Sequence, residues 1–165
     1  MNESLYAPWR DEYIAGEKIE GCVFCHISAS SDDSALHVLH RDEHCFIVMN
    51  KYPYTPGHFM IIPYKHVQNL EDLDATTWLH ISALAQKCVR LLKEGFGAHS
   101  VNLGMNLGPE AGAGIAEHMH MHLVPRFRRD TNFITAIAGT RVYSTDFEKV
   151  YQKILALMPK YLEES

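Results

Sequence analysis

Apolar residues along the chain fall into five short runs of the kind found in β-strands. Three runs are rich in β-branched or aromatic residues, at positions 36–39, 45–49 and 58–62, and two alternate between apolar and polar residues, at 101–106 and 118–123. Side chains along a strand point to opposite faces of a sheet with a period of two. The pattern therefore predicts five strands, and each of the last two has one polar face.

The sequence also predicts three helices: a short one at 22–29, a long one at 74–94 and a C-terminal one that opens near Thr145. Apolar residues recur at helical spacing in the two longer segments. Asp74 is suited to the N-cap of the long helix, and Gly95 is suited to the left-handed position that ends one. We therefore expect the long helix to stop at Gly95.

The C-terminal helix carries its own boundary signals. Thr145 and Glu148 have the spacing of a capping box, in which each side chain accepts a backbone N–H at the helix start. Pro159 is expected to end or kink this helix, because proline lacks the N–H that a helix interior needs.

The order of these elements predicts an α+β fold: a five-stranded antiparallel sheet with one long helix and a C-terminal helix. The long helix separates the third and fourth strands, and strand–helix–strand alternations are too few for a doubly wound sheet. Residues 1–21 mix aromatic and charged residues without a period and are expected to form an N-terminal arm. Residues 22–165 are expected to form a single domain.

Composition narrows the classes of function. The chain has 165 residues, of which 47% are hydrophobic and 21% charged, with a net charge of −5. Such a balance argues against a protein that holds a nucleic-acid backbone through broad positive charge. No run of eighteen apolar residues predicts a membrane span, and the N-terminus lacks the pattern of a signal peptide. We therefore expect a cytoplasmic protein with no nucleic-acid or membrane partner.

The histidine-rich strand is the strongest candidate for chemistry. His118, His120 and His122 would project from one face of it, with apolar residues between them facing a core. Imidazole can act as a base, a nucleophile or a metal ligand near neutral pH. The preceding loop, residues 108–114, has three glycines, whose backbone N–H groups can approach an anion closely. Together these features favour a phosphate-binding site.

The run from His118 to Val124 resembles the alternating histidine signature of the histidine triad superfamily of nucleotide hydrolases and transferases. Further stretches that look like this superfamily lie between residues 22 and 133: Cys22-Val-Phe-Cys25, Asn50 to Pro53, Gly57-His58, Ile61-Ile62-Pro63, His66, Asn106-Leu-Gly108 and Ala111 to Gly114. Ala7-Pro8-Trp9-Arg10, Pro125-Arg126 and residues 130–133 resemble the bacterial branch that includes diadenosine tetraphosphate phosphorylase.

This resemblance implies roles for the polar residues. His120 would be the nucleophile that attacks an α-phosphorus and forms a nucleotidyl-histidine, as a neutral imidazole can beside anionic oxygens. His122 would contact phosphate oxygens and help to protonate the leaving group. The side-chain amide of Asn106 and three main-chain N–H groups would bind phosphate, those of Gly112, Ala113 and Gly114. Many relatives carry Ser or Gln near Ala113 and Gly114, so backbone donors must suffice here.

The nucleoside would lie at the other end of the site. By the same resemblance Asn50 would bind the ribose hydroxyls. The base would lie between four apolar side chains, those of Phe24, Ile27, Phe46 and Val48. For each of these four, a place in the ordinary core is an equally good interpretation.

Four further residues are expected to bind a structural zinc ion: Cys22, Cys25, His66 and His118. Two thiolates and two imidazoles suit tetrahedral Zn²⁺, and the resemblance places the two histidines beside the cysteine pair. A redox-active cysteine pair is the alternative, but the strand–helix–strand setting typical of it is absent. The resemblance also implies a homodimer, which the N-terminal arm could extend to a tetramer.

Four kinds of function stay open on the sequence. The first is covalent catalysis by His120 on dinucleoside polyphosphates such as diadenosine tetraphosphate, with water or phosphate as acceptor. A purine nucleoside phosphoramidase would use the same nucleophile. A metallohydrolase would bind one catalytic metal with all three histidines. A nucleotide-binding sensor would show little turnover.

Overall fold

The chain folds as a five-stranded antiparallel sheet, which confirms the predicted α+β class. The computed structural model describes residues 21–128 and 145–162. The strands lie in the order β1-β2-β3-β5-β4, and every neighbouring pair is antiparallel. Their bounds are β1 Val38–Arg41, β2 Cys45–Met49, β3 Phe59–Pro63, β4 Ser100–Gly104 and β5 Met121–Arg126.

Three α-helices accompany the sheet: α1 Val23–Ala29, α2 Ala75–Arg90 and α3 Phe147–Leu162. Short 3-10 turns at Leu70–Asp72 and Pro109–Ala111 lie in the connections. Within the described ranges, no helix combines the length and apolar character that a bilayer crossing requires.

Each face of the sheet has its own apolar cluster. On one face, Ile47, Phe59 and Leu123 pack with the buried residues of α2 and α3. On the other face, Phe46 and Met60 pack with residues of α1. This division follows the alternation of side chains along each strand. The face that carries α1 also carries the histidines.

The N-terminus of α2 agrees with the prediction, whereas its C-terminus does not. Asp74 Oδ1 accepts the Thr77 backbone N–H at 2.8 Å, so Asp74 is the N-cap. Gly95 does not end the helix, because the chain continues through a π-helical segment, Leu91–Phe96. The left-handed residue is Gly97, with φ of 91°. Packing explains the small residue at position 95, where an added Cβ would lie 3.0 Å from side chains of α3.

The predicted capping box of α3 is wrong. Asp146 takes the N-cap role, since its Oδ1 accepts the Lys149 N–H at 3.0 Å. The Glu148 side chain instead accepts a hydrogen bond from His37, with Oε2 lying 3.0 Å from His37 Nε2. The helix also runs past Pro159 to Leu162, so this proline does not end it.

The paired part of the histidine strand is shorter than predicted. β5 begins at Met121, so only His122 of the three histidines lies in the hydrogen-bonded ladder. The preceding segment is held separately, with the Met119 N–H donating to Val67 O at 2.8 Å. Met119 nevertheless packs in the same cluster as Leu123, as the alternation predicts.

Two predictions fall on parts of the chain that the structure does not describe. Apart from Gly21, the N-terminal arm at residues 1–21 lies outside the described residues. The same is true of Arg129 and of the motif at 130–133.

Candidate active site and metal cluster

The structure brings the four predicted metal ligands together. Cys22 and Cys25 flank the start of α1, His66 follows β3, and His118 precedes β5. Their ligand atoms all lie within 4.8 Å of one another. The Cys22 Sγ lies 3.4 Å from His118 Nδ1, and the Cys25 Sγ lies 3.2 Å from His66 Nδ1 and 3.7 Å from His118 Nδ1.

These distances suit a tetrahedral metal site. Bonds of about 2.0–2.3 Å from Zn²⁺ to nitrogen and sulfur separate the ligand atoms by about 3.3–3.8 Å. Burial, together with the hydrogen bond and charge of Cys22 and the charge of Glu117, raises the pKa of the Cys25 thiol. The Cys25 thiol therefore favours its protonated form without a metal, and two cysteines with two histidines are a donor set that fits zinc.

A backbone carbonyl fixes the tautomer of His118. The His118 Nε2 lies 2.9 Å from Pro63 O, and a carbonyl can only accept, so Nε2 carries the proton. The Nδ1 lone pair is therefore directed at the two sulfur atoms. The ring is completely buried. His118 is thus oriented as a ligand of the cysteine cluster rather than as a catalytic base.

The neighbouring His120 has the opposite tautomer. Its Nδ1 lies 2.9 Å from His118 O, so Nδ1 carries the proton and the Nε2 lone pair is left for chemistry. Burial lowers the pKa of His120, against a smaller opposing effect of this hydrogen bond, and the imidazole is neutral near pH 7. A buried, neutral imidazole with one ring nitrogen anchored is suited to act as a nucleophile.

His122 is oriented by a fourth histidine, His58. The Tyr54 N–H donates to His58 Nδ1 at 3.1 Å, so the His58 proton lies on Nε2. That Nε2 lies 2.9 Å from His122 Nδ1, which must accept. The His122 proton therefore lies on Nε2, and the rings of His120 and His122 are in contact, with centroids 4.8 Å apart. One histidine offers a lone pair and its neighbour offers a proton.

These contacts disfavour the alternative of a metallohydrolase, in which all three histidines would bind one catalytic metal. His118 Nδ1 faces thiols, and His122 Nδ1 accepts from His58. Within residues 21–128 and 145–162, the groups of metal-ligating side chains that could hold an ion do not combine His118, His120 and His122. The three histidines are thus turned toward three different tasks.

The glycine-rich loop is partly closed on itself. Gly112 has φ of 86°, and its N–H donates to Pro109 O at 3.0 Å. This N–H is therefore engaged within the loop and is a poorer phosphate donor than predicted. Ala113 and Gly114 follow as the next backbone positions. Asn106 lines a cavity of about 450 Å³ together with His122, and its role in binding phosphate stays a prediction.

The predicted nucleoside contacts lie on the same face of the sheet. Phe24 packs against His120, with ring centroids 5.0 Å apart. The four predicted base contacts share one apolar cluster: Phe24, Ile27, Phe46 and Val48. Phe46 is completely buried, which is also what an ordinary core position would show.

Asn50 has partners within the protein. Its Oδ1 accepts the Tyr52 N–H at 2.9 Å, and its Nδ2 lies 3.4 Å from the His58 ring. Asn50 therefore joins the loop before β3 to the histidine chain. The hydrogen bond from the Tyr52 N–H occupies one lone pair of the Asn50 carboxamide oxygen.

His58 and Tyr54 are members of the site whose roles the sequence did not reveal. The Tyr54 ring lies 4.8 Å from that of His58 and 6.1 Å from that of His122, centroid to centroid. The position of His58 relates it to the site, because His58 lies two residues before Met60, and Met60 pairs with His122 across the sheet. The period of two thus places His58 on the face of the three histidines.

The buried histidines predict a loss of stability in acid. Burial, with the neighbouring imidazoles of His122 and His120, lowers the pKa of His58 from 6.5 to about 3. Below pH 6.5, His58 is protonated in the unfolded chain but stays neutral in the folded chain. The free energy of unfolding therefore falls as the pH falls. We expect His58 to contribute about 1 kcal/mol per pH unit between pH 6 and 4. Urea unfolding at several pH values measures this slope.

A matched pair of variants isolates that contribution. His58→Gln should make the slope shallower, whereas His26→Gln, at an exposed position on α1, should leave it unchanged. Equal slopes in the wild type and His58→Gln would contradict the assignment.

The chain resembles known proteins in sequence. The HIT domain family matches residues 32–129 of the chain. The chain is also 38% identical to the AP-4-A phosphorylase of Mycobacterium tuberculosis strain H37Rv over 149 residues, which cover 85% of this chain and 76% of that protein. The chain belongs to the HIT family. This membership accounts for the five-stranded sheet and for the histidines on β5 and just before it.

Other HIT proteins resemble the chain in sequence and structure. The Zn-bound histidine triad family protein from Mycobacterium smegmatis is 29% identical with a TM-score of 0.69, covering 85% of this chain and 94% of that one. A HIT family member from Bacillus subtilis is 25% identical with a TM-score of 0.59, covering 88% and 100%. Adenylylsulfatase HINT3 of Arabidopsis thaliana is 28% identical, covering 86% of this chain and 69% of that protein.

Proposed function

We propose that this HIT protein transfers the nucleotidyl group of dinucleoside polyphosphates through a covalent intermediate on His120. One observation carries the proposal: His120 Nδ1 donates to His118 O at 2.9 Å, which leaves its Nε2 lone pair unprotonated beside His122. The resemblance to AP-4-A phosphorylase supports a substrate such as diadenosine tetraphosphate.

The first step forms one bond and breaks one. The His120 Nε2 lone pair forms a bond to the α-phosphorus, and the bond from that phosphorus to the bridging oxygen breaks. The electron pair leaves on that oxygen, with the rest of the polyphosphate chain. An imidazole is favoured over a carboxylate here, because a neutral nucleophile is not repelled by the phosphate oxygens.

His122 acts on the leaving oxygen. Its Nε2–H is the donor end of the chain from the Tyr54 N–H through His58, since each Nδ1 in that chain accepts. A terminal phosphate has its second pKa near 6, so the leaving group is stable as an anion at neutral pH. Hydrogen-bond donation therefore suffices. His58 serves as a positioning residue, because it fixes the tautomer and orientation of His122.

The second step regenerates the imidazole. Water or inorganic phosphate attacks the phosphorus of the nucleotidyl-histidine, the bond from phosphorus to Nε2 breaks, and its electron pair returns to His120. When water is the acceptor, the proton that it loses passes to the solvent. Phosphate as acceptor yields a nucleoside diphosphate, and water yields a nucleoside monophosphate. Nothing in the orientation of the described histidines selects one acceptor.

The cysteine cluster serves the fold in this proposal. A structural Zn²⁺ would be held by Cys22, Cys25, His66 and His118. Its coordination bonds would cross-link α1 to the segment before β5. The same link would fix His118, whose carbonyl oxygen anchors His120. The Zn-bound relative from Mycobacterium smegmatis supports this assignment.

Product analysis tests the reaction. Diadenosine tetraphosphate is incubated with the protein, with and without phosphate, and the nucleotides are separated. ADP and ATP formed only with phosphate would establish phosphorolysis, and AMP and ATP formed with water would establish hydrolysis. Turnover of a nucleoside phosphoramidate alone would favour a phosphoramidase. Tight nucleotide binding without any product would contradict the proposal and favour a sensor.

A homodimer through the β4 edge is part of the proposal. β4 is the last strand of the sheet, and Leu103 on it is 52% exposed. An edge strand with an exposed apolar side chain is a template for pairing with a second chain. We expect Leu103→Asp to reduce the apparent mass from that of two chains to that of one, measured by size exclusion with light scattering.

The exposed Leu79 on α2 provides the comparison. If only β4 forms the interface, Leu79→Asp should leave the dimer intact. Loss of the dimer in both Leu103→Asp and Leu79→Asp would mean that α2 also belongs to the interface. An unchanged mass for Leu103→Asp would contradict the β4 interface.

A further inference from the structure

A second group of metal-ligating side chains lies where the β1–β2 hairpin meets α2. Asp42 lies in the turn of the hairpin, Cys45 begins β2, and His80 lies in the second turn of α2. One ligand atom of each residue lies within 4.8 Å of those of the other two. We call these three residues the hairpin cluster.

The sheet separates the hairpin cluster from the cysteine cluster. Cys45 packs in the apolar cluster that contains the buried residues of α2, whereas the next residue, Phe46, packs with residues of α1 on the opposite face. The face of α1 is also the face of the three histidines and of the cysteine cluster. An ion in the hairpin cluster would therefore occupy a site of its own.

The backbone of the hairpin holds the Asp42 carboxylate in place. Its Oδ1 accepts the N–H groups of His44 at 2.8 Å and Cys45 at 2.9 Å. Its Oδ2 lies 2.7 Å from His80 Nε2 and accepts from the Cys45 Sγ at 3.6 Å. One oxygen is thus fixed by the turn, and the other is directed at an imidazole and a thiol. A ligand that is oriented before the ion arrives loses little freedom on binding.

The distances are close to those of a tetrahedral metal site. Bonds of about 2.0–2.3 Å to such an ion separate its ligand atoms by about 3.3–3.8 Å. The 3.6 Å between Asp42 Oδ2 and Cys45 Sγ falls within that range. The hydrogen bond between Asp42 and His80 must lengthen by about 0.6 Å to reach it. The His80 side chain is 36% exposed, so its imidazole can make this shift and solvent can reach the ion.

A neighbouring imidazole supports the orientation of His80. The rings of His44 and His80 are in contact, with centroids 4.6 Å apart. The His44 Nε2 lies 3.1 Å from Glu43 Oε1, so this ring is held by a partner on the hairpin. Contacts of this kind around a histidine ligand fix the plane of its ring.

The types of ligand atom indicate which ions would bind. The hairpin cluster offers one carboxylate oxygen, one imidazole nitrogen and one sulfur. Mg²⁺ and Ca²⁺ bind almost entirely through oxygen, whereas Zn²⁺ accepts all three kinds of atom. The cysteine cluster has two sulfur atoms and four protein ligands, against one sulfur atom and three ligands here. We therefore expect the hairpin cluster to bind Zn²⁺ more weakly than the cysteine cluster does.

We propose that the hairpin cluster is a second, exchangeable site for Zn²⁺, with Asp42 Oδ2, Cys45 Sγ and His80 Nε2 as ligands and water in the fourth position. Binding would move the His80 proton from Nε2 to Nδ1 and release the Cys45 proton to solvent. The ion would cross-link the β1–β2 hairpin to α2 and so stabilise the folded chain. This inference does not depend on the reaction at His120.

Calorimetric titration with zinc chloride tests the site. The protein is first desalted and its tightly bound zinc is counted by elemental analysis, so that filling of the cysteine cluster is not mistaken for the new site. We expect one further equivalent of zinc to bind. Its dissociation constant should rise at least about 100-fold in His80→Gln, because even the loss of a group that only orients a ligand costs about 10–100-fold. Asp42→Asn, which keeps Oδ1 for the turn, and Cys45→Ser should weaken binding in the same way. His99→Gln, at an exposed position outside the cluster, is the control and should bind as the wild type does.

Thermal unfolding gives an independent readout. Excess zinc should raise the Tm of the desalted wild type and of His99→Gln, and should leave that of His80→Gln unchanged. Circular dichroism without added zinc checks that each variant is folded. The proposal is overturned if no further equivalent binds, or if His80→Gln binds it as tightly as the wild type. Equal weakening in His99→Gln, or equally tight binding of Mg²⁺, would also overturn it, because either result would mean that the three ligands do not form a specific site.

Discussion

His120→Ala should abolish turnover while the protein stays folded. The substitution removes the Nε2 lone pair that forms the bond to phosphorus, and no other described imidazole has its Nδ1 anchored on His118 O. Loss of a covalent nucleophile predicts a fall in kcat of at least about 10⁴-fold. The rate is measured on diadenosine tetraphosphate, and the fold is checked by circular dichroism and by thermal unfolding.

A quench experiment gives a second readout for the same variant. Brief reaction with radiolabelled substrate should label the wild-type protein and leave His120→Ala unlabelled. His99→Ala, which changes an exposed histidine, should retain both the label and the rate. Turnover of His120→Ala near the wild-type rate would remove His120 from the mechanism.

Replacing one cysteine of the cluster should cost the protein its metal and much of its stability. In Cys25→Ser the thiolate that lies 3.2 Å from His66 and 3.7 Å from His118 is lost, which leaves an incomplete donor set. We expect about one zinc per wild-type chain by elemental analysis, and less than about a tenth of that in the variant. The free energy of unfolding should fall by about 4 kcal/mol or more, as loss of a structural metal does.

The adjacent His26→Ala provides the control for this experiment. His26 is exposed on α1 next to Cys25 and lies outside the cluster, so its replacement should keep both metal and stability. A chelator should lower the stability of the wild type to that of Cys25→Ser. If the wild type binds no zinc from a zinc-containing medium, the structural zinc assignment is wrong.

The two experiments together distinguish the three neighbouring histidines. His118→Ala should lose metal and stability, and His120→Ala should lose the chemical step. His122→Ala should react slowly with its fold and metal intact, because its partner is His58 and not the cysteine cluster. Equal loss of metal in all three variants would restore a metallohydrolase.

Local signals were reliable for the histidine strand and for the start of α2, but not for the start of α3, where Asp146 is the N-cap instead of Thr145. The period of two along 118–123 predicted which side chains face the core, and the Asp74 cap was predicted from its own helix start. The error at the end of α2 arose because distant packing decides that position. Gly95 has the right type for a helix stop, but α3 packs against it, and the left-handed turn falls at Gly97.

The sequence by itself determined the fold class, the grouping of three histidines on one face and the candidate metal ligands, because residue type and alternation are written into neighbouring positions. Tertiary structure alone decided the protonation of each imidazole. Pro63 O, His118 O and the His58 ring impose three different orientations on His118, His120 and His122, and two of these partners come from β3 or the residue before it. The same sheet register placed Asn102 of β4 opposite Val124, between His122 and Arg126 of β5, a relation between strands that no single stretch of sequence contains.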